Sequence, residues 1–283
     1  MVRTLWISVL LFFLAAPAAA SAASANVAAL QVALRAGGFY AGTVDGVAGP
    51  ATAAAVRRLQ RRRGLRADGV AGPQTRRALG RRGRPRLGSR PLALNARGWD
   101  VAGLQFLLAT HGFPSGTFDG GLGVRTDAAL RRFQTWAGLS ADGVAGPGTL
   151  AALRRAPARS PLRFRRPVPD AVGDGFGPRG NTFHPGLDLV SPKGRAVRAG
   201  AAGCVEVAHR DTGGYGKLVV LRHSLGMTSW YAHLSRILVR RGQCVAPGAL
   251  LGRVGATGRA TGPHLHFELR LRGAAVDPAP VTG

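Results

Sequence analysis

A chain of 283 residues is long enough for one sizeable domain and smaller ones, so we expect several hydrophobic cores rather than one. Its formal net charge of +26 favours long-range attraction to polyanions without saying which polyanion. The composition argues against two chemistries, because two cysteines without C-x-x-C spacing do not make a cysteine metal site, and two glutamates leave few candidates for a glycosidase carboxylate pair.

The first residues are typical of a secretory signal peptide. Arg3 precedes an apolar run, and small residues with A-x-A spacing follow it. The strongly apolar part, residues 5–14, is short for a membrane span. We therefore predict a signal peptide over residues 1–25 and an exported protein of the periplasm, the cell wall or the extracellular space, with no stable membrane span after cleavage.

The next part of the chain contains a duplication. Leu30-Gln31 matches Leu104-Gln105, and Asp45-Gly46 matches Asp119-Gly120. A second Asp-Gly pair follows in each copy, and an Asp-Gly turn a few residues before Thr leads into a helix. Apolar residues behind these turns keep helical spacing. Each copy is predicted to be a module of about three helices, in which the aspartates brace turns rather than contact a ligand.

The shared pattern is L-Q, then G-F or G-Y, then D-G-x-x-G-P-x-T, and finally D-G-V-A-G-P-x-T. It resembles the peptidoglycan-binding module of bacterial wall hydrolases, over residues 26–80 and 94–155. The resemblance implies two small all-α modules that bind peptidoglycan, and their charge suits anionic cell-wall polymers. One turn departs from the pattern, with Val124-Arg125 where the other turns have Gly-Pro.

Two stretches rich in Pro, Arg and Gly are predicted to be extended, solvated connectors. They are a basic linker over residues 81–93 and a Pro/Arg linker over residues 156–169. Beyond them, residues 170–283 show short Val and Leu runs broken by glycines, which predict a mainly antiparallel all-β domain with hairpins. Within it, G-G-Y-G-K at residues 213–217 lacks the flanking residues of a phosphate loop and is predicted to be a turn.

The two cysteines, Cys204 and Cys244, lie in this β domain. In an exported protein an even cysteine count favours a disulfide, and closing a loop of about 40 residues would stabilise the fold by roughly 4 kcal/mol. Two small buried thiols are the alternative.

Residues 261–268 read T-G-P-H-L-H-F-E, which predicts a turn followed by a strand. On that strand His264 and His266 lie on one face, while Leu265 and Phe267 lie on the buried face. Two imidazoles on one face can hold a metal and move a proton.

Two further stretches supply partners for this pair. H-P-G-L-D contains His184, expected in a loop, and Asp188, expected on the strand that follows. Y-A-H-L places His233 at a strand end. Two neutral imidazoles and one carboxylate would leave a position free for water, as in catalytic zinc sites. The remaining histidines are expected to be packed or surface residues: His111, His209 and His223.

The set H-x-x-x-D, x-H-L and H-x-H resembles the lysostaphin-like, LytM-type zinc endopeptidases of the M23 family, over about residues 170–278. The resemblance implies one Zn²⁺ in this domain, with His184, Asp188 and His266 as its ligands. It also implies that His233 and His264 are the catalytic pair, with either one as the base, since no H-E-x-x-H glutamate is present.

These observations predict an exported zinc endopeptidase that hydrolyses peptide bonds in peptidoglycan stems or cross-bridges and is anchored to the wall by its modules. The first alternative is a non-hydrolytic peptidoglycan-binding regulator or scaffold of other hydrolases. The second, a nucleic-acid-binding protein, lacks a recognition motif or an aromatic stacking pattern. The scissile bond, the biological setting and the oligomeric state are not fixed by the sequence.

Overall fold

The computed structural model describes residues 23–282, so nearly all of the predicted signal peptide lies outside the described residues. The first half of the described chain is helical. Its helices are α1 (Ala25–Ala36), α2 (Pro50–Arg62), α3 (Pro73–Ala78), α4 (Trp99–Thr110), α5 (Val124–Trp136) and α6 (Pro147–Leu153), with a short 3₁₀ helix at Gly80–Gly83. Three helices per module confirm the prediction of two small all-α units. None of the helices between residues 23 and 282 is long and apolar enough to cross a membrane.

Glutamines hold the Asp-Gly turns of both modules. Gln31 Nε2 donates to Asp45 Oδ1 at 2.7 Å, and Gly46 N donates to Gln31 Oε1 at 2.9 Å. The same pair of hydrogen bonds recurs at three further turns, those of Gln60 with Asp68-Gly69, Gln105 with Asp119-Gly120 and Gln134 with Asp142-Gly143. Each amide satisfies buried polar groups of a turn, which confirms that the aspartates brace the modules.

The turn before α5 corrects one prediction. Helix α5 begins at Val124 after the N-cap Gly123, as α2 begins at Pro50 after Gly49. The second module therefore keeps the glycine, and Val124 alone replaces the proline of the first helical position. Since that position tolerates proline but does not require it, the helix forms without it.

The second half of the described chain is built from antiparallel strands, which confirms the predicted all-β domain. Its strands are β1 (Val172–Asp174), β2 (Gly177–Arg179), β3 (Thr182–His184), β4 (Leu187–Val190), β5 (Ala196–Arg198), β6 (Gly203–Asp211), β7 (Gly216–Arg222), β8 (Met227–Leu234), β9 (Arg236–Ile237), β10 (Cys244–Val245), β11 (Leu250–Arg253), β12 (His264–Leu271) and β13 (Ala274–Val276).

The main sheet has the order β1-β4-β12-β8-β7-β6-β10, with β13 paired to β12. Strands β5, β11 and β9 form a second sheet, and β2 and β3 form a hairpin. Alternate residues of β12, Leu265, Phe267 and Leu269, are fully buried in the core between the sheets. The opposite face of β12 is thereby left for its histidines.

A disulfide between Cys204 and Cys244 joins β6 to the edge strand β10, where the two cysteines are direct partners in the register. The predicted pairing is present, and the alternative of two buried thiols is wrong. The residues 213–217 lie at the β6–β7 turn and the start of β7, as expected.

The two connectors are less solvated than predicted. Leu92 is fully buried and exchanges backbone hydrogen bonds with Ala145, while Phe164 and Val168 belong to the core of the β domain. The prediction of solvated linkers is wrong at these positions, because each such apolar side chain gains about 2 kcal/mol when it is buried in a neighbouring core.

The modules dock on the β2–β3 hairpin. Val44 N, from the first module, donates to Gly180 O at 2.7 Å, and Phe118 N, from the second, donates to Asn181 O at 2.7 Å. Behind this tip, Phe183 lies in one hydrophobic cluster with side chains of α1, α2 and α4. Both modules therefore hold the tip of the same hairpin.

A second junction links the turn after α4 to β13 and the end of α5 to the end of β12. Ala275 N donates to Gly112 O at 3.1 Å, and Trp136 Nε1 donates to Leu271 O at 3.2 Å. Gly112 has φ +86°, and a Cβ atom there would collide with the backbone of Ala275. The close approach of the two backbones thus requires glycine.

Candidate metal centre

Three strands bring the predicted ligands together. His266 on β12 lies directly opposite Asp188 on β4 in the antiparallel register. His184 is the last residue of β3, paired with Gly177 of β2, and Pro185 and Gly186 then turn the chain into β4. Asp188 is on a strand, as predicted. The prediction of His184 in a loop is wrong, because His184 becomes part of a strand only through its pairing with Gly177, seven residues earlier.

The donor atoms of these three residues form one compact cluster. The imidazole nitrogens His184 Nε2 and His266 Nδ1 are 3.1 Å apart, and Asp188 Oδ1 lies 3.1 Å from the first and 2.8 Å from the second. Tetrahedral zinc, with ligands about 2.0–2.1 Å away, spaces its donors by about 3.3 Å. The cluster therefore has the dimensions of a three-ligand metal site, and no described cysteine takes part.

The outer nitrogens of both imidazoles are occupied by acceptors. His184 Nδ1 donates to Gly175 O at 2.7 Å, and His266 Nε2 donates to Glu268 Oε1 at 2.8 Å. These bonds fix the tautomer of each neutral ring, which leaves the inner nitrogen with a lone pair for a cation. When no cation is bound, a proton on that nitrogen is donated to Asp188 instead. Three lone-pair donors in mutual contact can coordinate one cation. The residues present therefore fit a metal ion.

The hydrogen bonds within the cluster also shift the pKa values of its residues. Burial alone would raise the pKa of Asp188, but hydrogen bonds to His184 and His266 outweigh it and hold the pKa well below its usual range. Burial alone would lower the pKa of His266, but Asp188 and Glu268 outweigh it and raise the pKa to about 9. The centre thus favours positive charge between its carboxylates.

The other two predicted residues lie beside the cluster. The ring centres of His233 and His264 are 4.8 Å apart, and His264 Nε2 lies 3.7 Å from Asp188 Oδ1. His233 Nδ1 bonds to Thr257 O at 2.8 Å and His264 Nδ1 bonds to Gly262 O at 2.9 Å, which leaves both Nε2 atoms available. Burial, the largest cause, lowers the pKa of His233 and outweighs the hydrogen bond to Thr257 O, which raises it.

A local irregularity of β8 directs His233. The register with β7 shifts between Lys217 and Val219, so that β8 contains one extra residue there, and His233 has φ +60°. A bulge of this kind re-aims a side chain, and a positive φ at a non-glycine residue is a strained conformation found often at functional sites. His233 lies one residue before the end of β8, as predicted, and the bulge there was not predicted.

Glu268, Tyr215, Arg270 and Arg179 were not identified from the sequence. Glu268 is fully buried and accepts from Tyr215 Oη at 2.8 Å and from Arg270 Nε at 2.7 Å, in addition to its bond with His266. Arg179 Nη2 donates to Asp188 Oδ2 at 2.8 Å. Strand alternation could have identified Glu268, because it lies two residues beyond His266 on the same face of β12. The contacts of Tyr215 and Arg179 could not be found in this way, because they depend on pairing between distant segments.

The cluster lines an open cleft of about 380 Å³. Its walls include the β6–β7 turn, with Gly213 and Gly214, and the segment before β12, with Arg259 and Thr261. Arg259 holds the two walls together through hydrogen bonds with the backbone of Gly213 and Gly214. An extended peptide would have access to the cluster between these walls.

The remaining histidines lie away from the cleft, as expected. His209 is exposed, and His111 is buried in the second module, where Nε2 bonds to Leu153 O at 3.0 Å. His223 is buried in the β domain and belongs to a hydrogen-bonded chain with Ser229 and Tyr231.

Comparison with known proteins agrees with this geometry. Residues 182–278 match Peptidase family M23, and residues 23–79 and 97–153 match the family described as a putative peptidoglycan binding domain. The chain is 46% identical over 99 residues to the DD-carboxypeptidase/endopeptidase Mpg of Neisseria meningitidis. This alignment covers 35% of this chain and 23% of that protein. It is 38% identical over 139 residues to the peptidoglycan DD-endopeptidase ShyC of Vibrio cholerae, which covers 46% and 30%.

The chain thus spans less than a third of the length of these two relatives. Among solved structures, a putative M23 peptidase of Pseudomonas aeruginosa is 40% identical, with a TM-score of 0.40 over 48% of this chain and 58% of the other. The catalytic domain of lysostaphin from Staphylococcus simulans is 33% identical, with a TM-score of 0.38 over 39% and 90%. The two family matches identify an M23 peptidase domain over residues 182–278, preceded by two peptidoglycan-binding domains.

Proposed function

We propose that this chain is an exported, zinc-dependent endopeptidase that hydrolyses peptide bonds in the stem peptides or cross-bridges of peptidoglycan. The observation that carries the proposal is the convergence of three lone-pair donors, His184, Asp188 and His266, beside two further imidazoles in an open cleft. The name of the relative ShyC, a peptidoglycan DD-endopeptidase, and the match of residues 23–79 and 97–153 to a peptidoglycan-binding family support peptidoglycan as the substrate.

His184, Asp188 and His266 hold the metal in this proposal, and the donor set leaves a fourth position open. Zinc bound there supplies Lewis-acid chemistry, since it lowers the pKa of a water molecule and polarises a carbonyl. Glu268 fixes the orientation of His266 by accepting its outer N–H. Gly175 does the same for His184.

His233 and His264 share two tasks. A neutral imidazole accepts the proton of the attacking water through Nε2, and a protonated one donates a hydrogen bond to the oxyanion that develops on the scissile carbonyl. Both rings are oriented by backbone carbonyls, so neither needs to reorganise during the reaction. The two peptidoglycan-binding domains keep the cleft close to its polymeric substrate and raise the local concentration of scissile bonds.

The test is the release of new amino groups from purified peptidoglycan by the chain without its predicted signal peptide. We expect release that stops with a chelator, returns with zinc and produces no new reducing sugar ends. His266→Ala removes a ligand and should abolish release, whereas His209→Ala, at an exposed histidine outside the cleft, should leave it unchanged.

Other results would overturn the proposal. Binding to peptidoglycan without amine release at any zinc concentration would favour the regulator or scaffold. Release of reducing ends would indicate cleavage of the glycan instead. Mass analysis of the products identifies the scissile bond.

A further inference from the structure

A smaller cavity of about 170 Å³ opens beside the cleft, between the second module and the β domain. Pro185 and Tyr215 line both cavities, so the smaller one adjoins the cleft. Its far wall comes from α5, which contributes Arg132, and from the segment after β12, which contributes Gly273 and Ala275. A side chain of the peptidoglycan-binding module therefore faces a cavity at the edge of the peptidase cleft.

The charges in this cavity are not balanced. Arg270 is paired with the buried Glu268 at 2.7 Å and also donates to Tyr215 Oη at 2.8 Å. Arg132 makes no hydrogen bond or ion pair with any of residues 23–282. Arg132 is exposed to solvent at the edge of this cavity, and an arginine stays protonated at neutral pH. One positive charge is therefore left for an incoming group.

We propose that this cavity is a subsite for a carboxylate of the peptide substrate, and that Arg132 is its specificity-determining residue. The proposal rests on the peptidase function proposed above. A guanidinium offers two parallel N–H donors that match a carboxylate, and such charge-assisted bonds are stronger than neutral ones. Since a water molecule occupies about 30 Å³ of liquid, 170 Å³ has room for a carboxylate with a few waters.

The consequence is a composite recognition site. The β domain supplies the metal cluster and the cleft, and α5 of the second module supplies the cation that selects among peptides. Stem peptides carry carboxylates both at their C-terminus and on side chains. Both sources offer the same chemistry to Arg132, so the experiment has to separate them.

The test compares one soluble peptide that the protein cleaves with two matched versions, one amidated at the C-terminus and one amidated at the side-chain carboxylate. For the native protein we expect one amidation to lower kcat/KM by about ten- to hundredfold, mostly through KM, because one charge-assisted bond is lost. Arg132→Ala should cleave all three peptides at similar rates, and Arg132→Lys should keep part of the preference. Arg125→Ala, an exposed arginine of α5 outside the cavity, should keep the full preference.

The arms identify the source of the carboxylate, since only the amidation that removes the bound group changes kcat/KM. Equal cleavage of all three peptides by the native protein, or an unchanged preference in Arg132→Ala, would overturn the subsite. Thermal unfolding of each variant verifies that the fold is retained. Failure to cleave any peptide, together with no amine release from peptidoglycan, would instead overturn the proposed function.

Discussion

Glu268 connects the metal cluster to the surrounding polar groups. Burial alone would raise the pKa of this carboxyl, but Arg270 and His266 outweigh it and lower the pKa to about 2, so it is an anion at every pH at which the protein is expected to work. As an anion it accepts the outer N–H of His266 and balances Arg270. One side chain thus orients a proposed metal ligand and neutralises a partly buried cation.

We expect Glu268→Gln to weaken zinc binding by about ten- to hundredfold, because a neutral amide holds the His266 ring less strongly. It should also lower the free energy of unfolding by about 3–5 kcal/mol, since Arg270 loses its buried partner. Chelator competition measures the first effect and urea unfolding the second. Glu206→Gln, at an exposed position of β6, is the matched control, and equal effects in both variants would refute this role for Glu268.

His223 makes stability depend on pH. Its Nδ1 donates to Ala202 O at 2.6 Å, and its Nε2 is hydrogen-bonded to Ser229 Oγ at 2.7 Å. Burial, the largest cause, lowers the pKa of His223 below its usual value near 6.5. The folded state therefore favours the neutral ring, because burial penalises its charged form.

The sign of the effect follows from where the proton binds. Above pH 6.5 the ring is neutral in both states, and below it the unfolded chain takes up a proton that the folded protein excludes. Stability therefore falls as pH decreases, by at most about 1.4 kcal/mol per pH unit from this residue. His223→Gln should show a shallower decline between pH 6.5 and pH 5 in urea unfolding, and His209→Gln, at an exposed site, should match the native protein. An unchanged slope in His223→Gln would contradict this account.

Local patterns were sufficient for the residues of β12. Period-two alternation assigned His264 and His266 to one face and buried Leu265 and Phe267, and the same alternation extends to Glu268. The bulge at His233 was not predictable, because it results from the register between β7 and β8 rather than from any residue near it.

Among the elements, the β2–β3 hairpin has the most unusual position. It ends in His184, pairs only with itself and is held at its tip by hydrogen bonds from both modules. Phe183, one residue before His184, is buried against the modules and against Phe176, with ring centres 5.0 Å apart. The position of a predicted metal ligand therefore depends on packing outside the β domain.

Phe183→Ala should lower the free energy of unfolding by about 3–5 kcal/mol and weaken zinc binding, because the hairpin loses its main packing contact. Phe133→Ala, in the core of the second module, should destabilise the fold by a similar amount and leave zinc binding unchanged. Chelator competition at a temperature where both variants are folded distinguishes them. Equal zinc affinity in the two variants would mean that the hairpin does not need this support.

Helix and strand types were predictable because each module repeats its turn signals and the β domain repeats its hairpin signals. The short strand β3 was missed, since three residues before a proline and a glycine carry too weak a pattern, and only the pairing with β2 makes them a strand. The buried side chains within the two connectors were missed for a related reason, because an arginine-rich segment with a few apolar residues is locally typical of a linker.

At the scale of the whole molecule, the number and type of the domains could be predicted, but their arrangement could not. Docking depends on contacts between segments more than a hundred residues apart, such as Val44 with Gly180 and Trp136 with Leu271. No local pattern encodes such contacts. The modules were expected to act as tethers, whereas in this structure they also contact the β domain through a polar and apolar interface.

The docked hairpin has one further consequence, which concerns thermodynamic reciprocity. If the two modules favour the hairpin conformation that presents His184, then metal binding at His184 must favour the docked modules to the same extent, because the free energy that couples two sites is shared equally by both. A wall polymer that binds the modules only when they are undocked would therefore lower the affinity for the metal. A polymer that binds them docked would raise it. In this arrangement, the affinity of the modules for the wall polymer and the affinity of the cleft for the metal depend on each other.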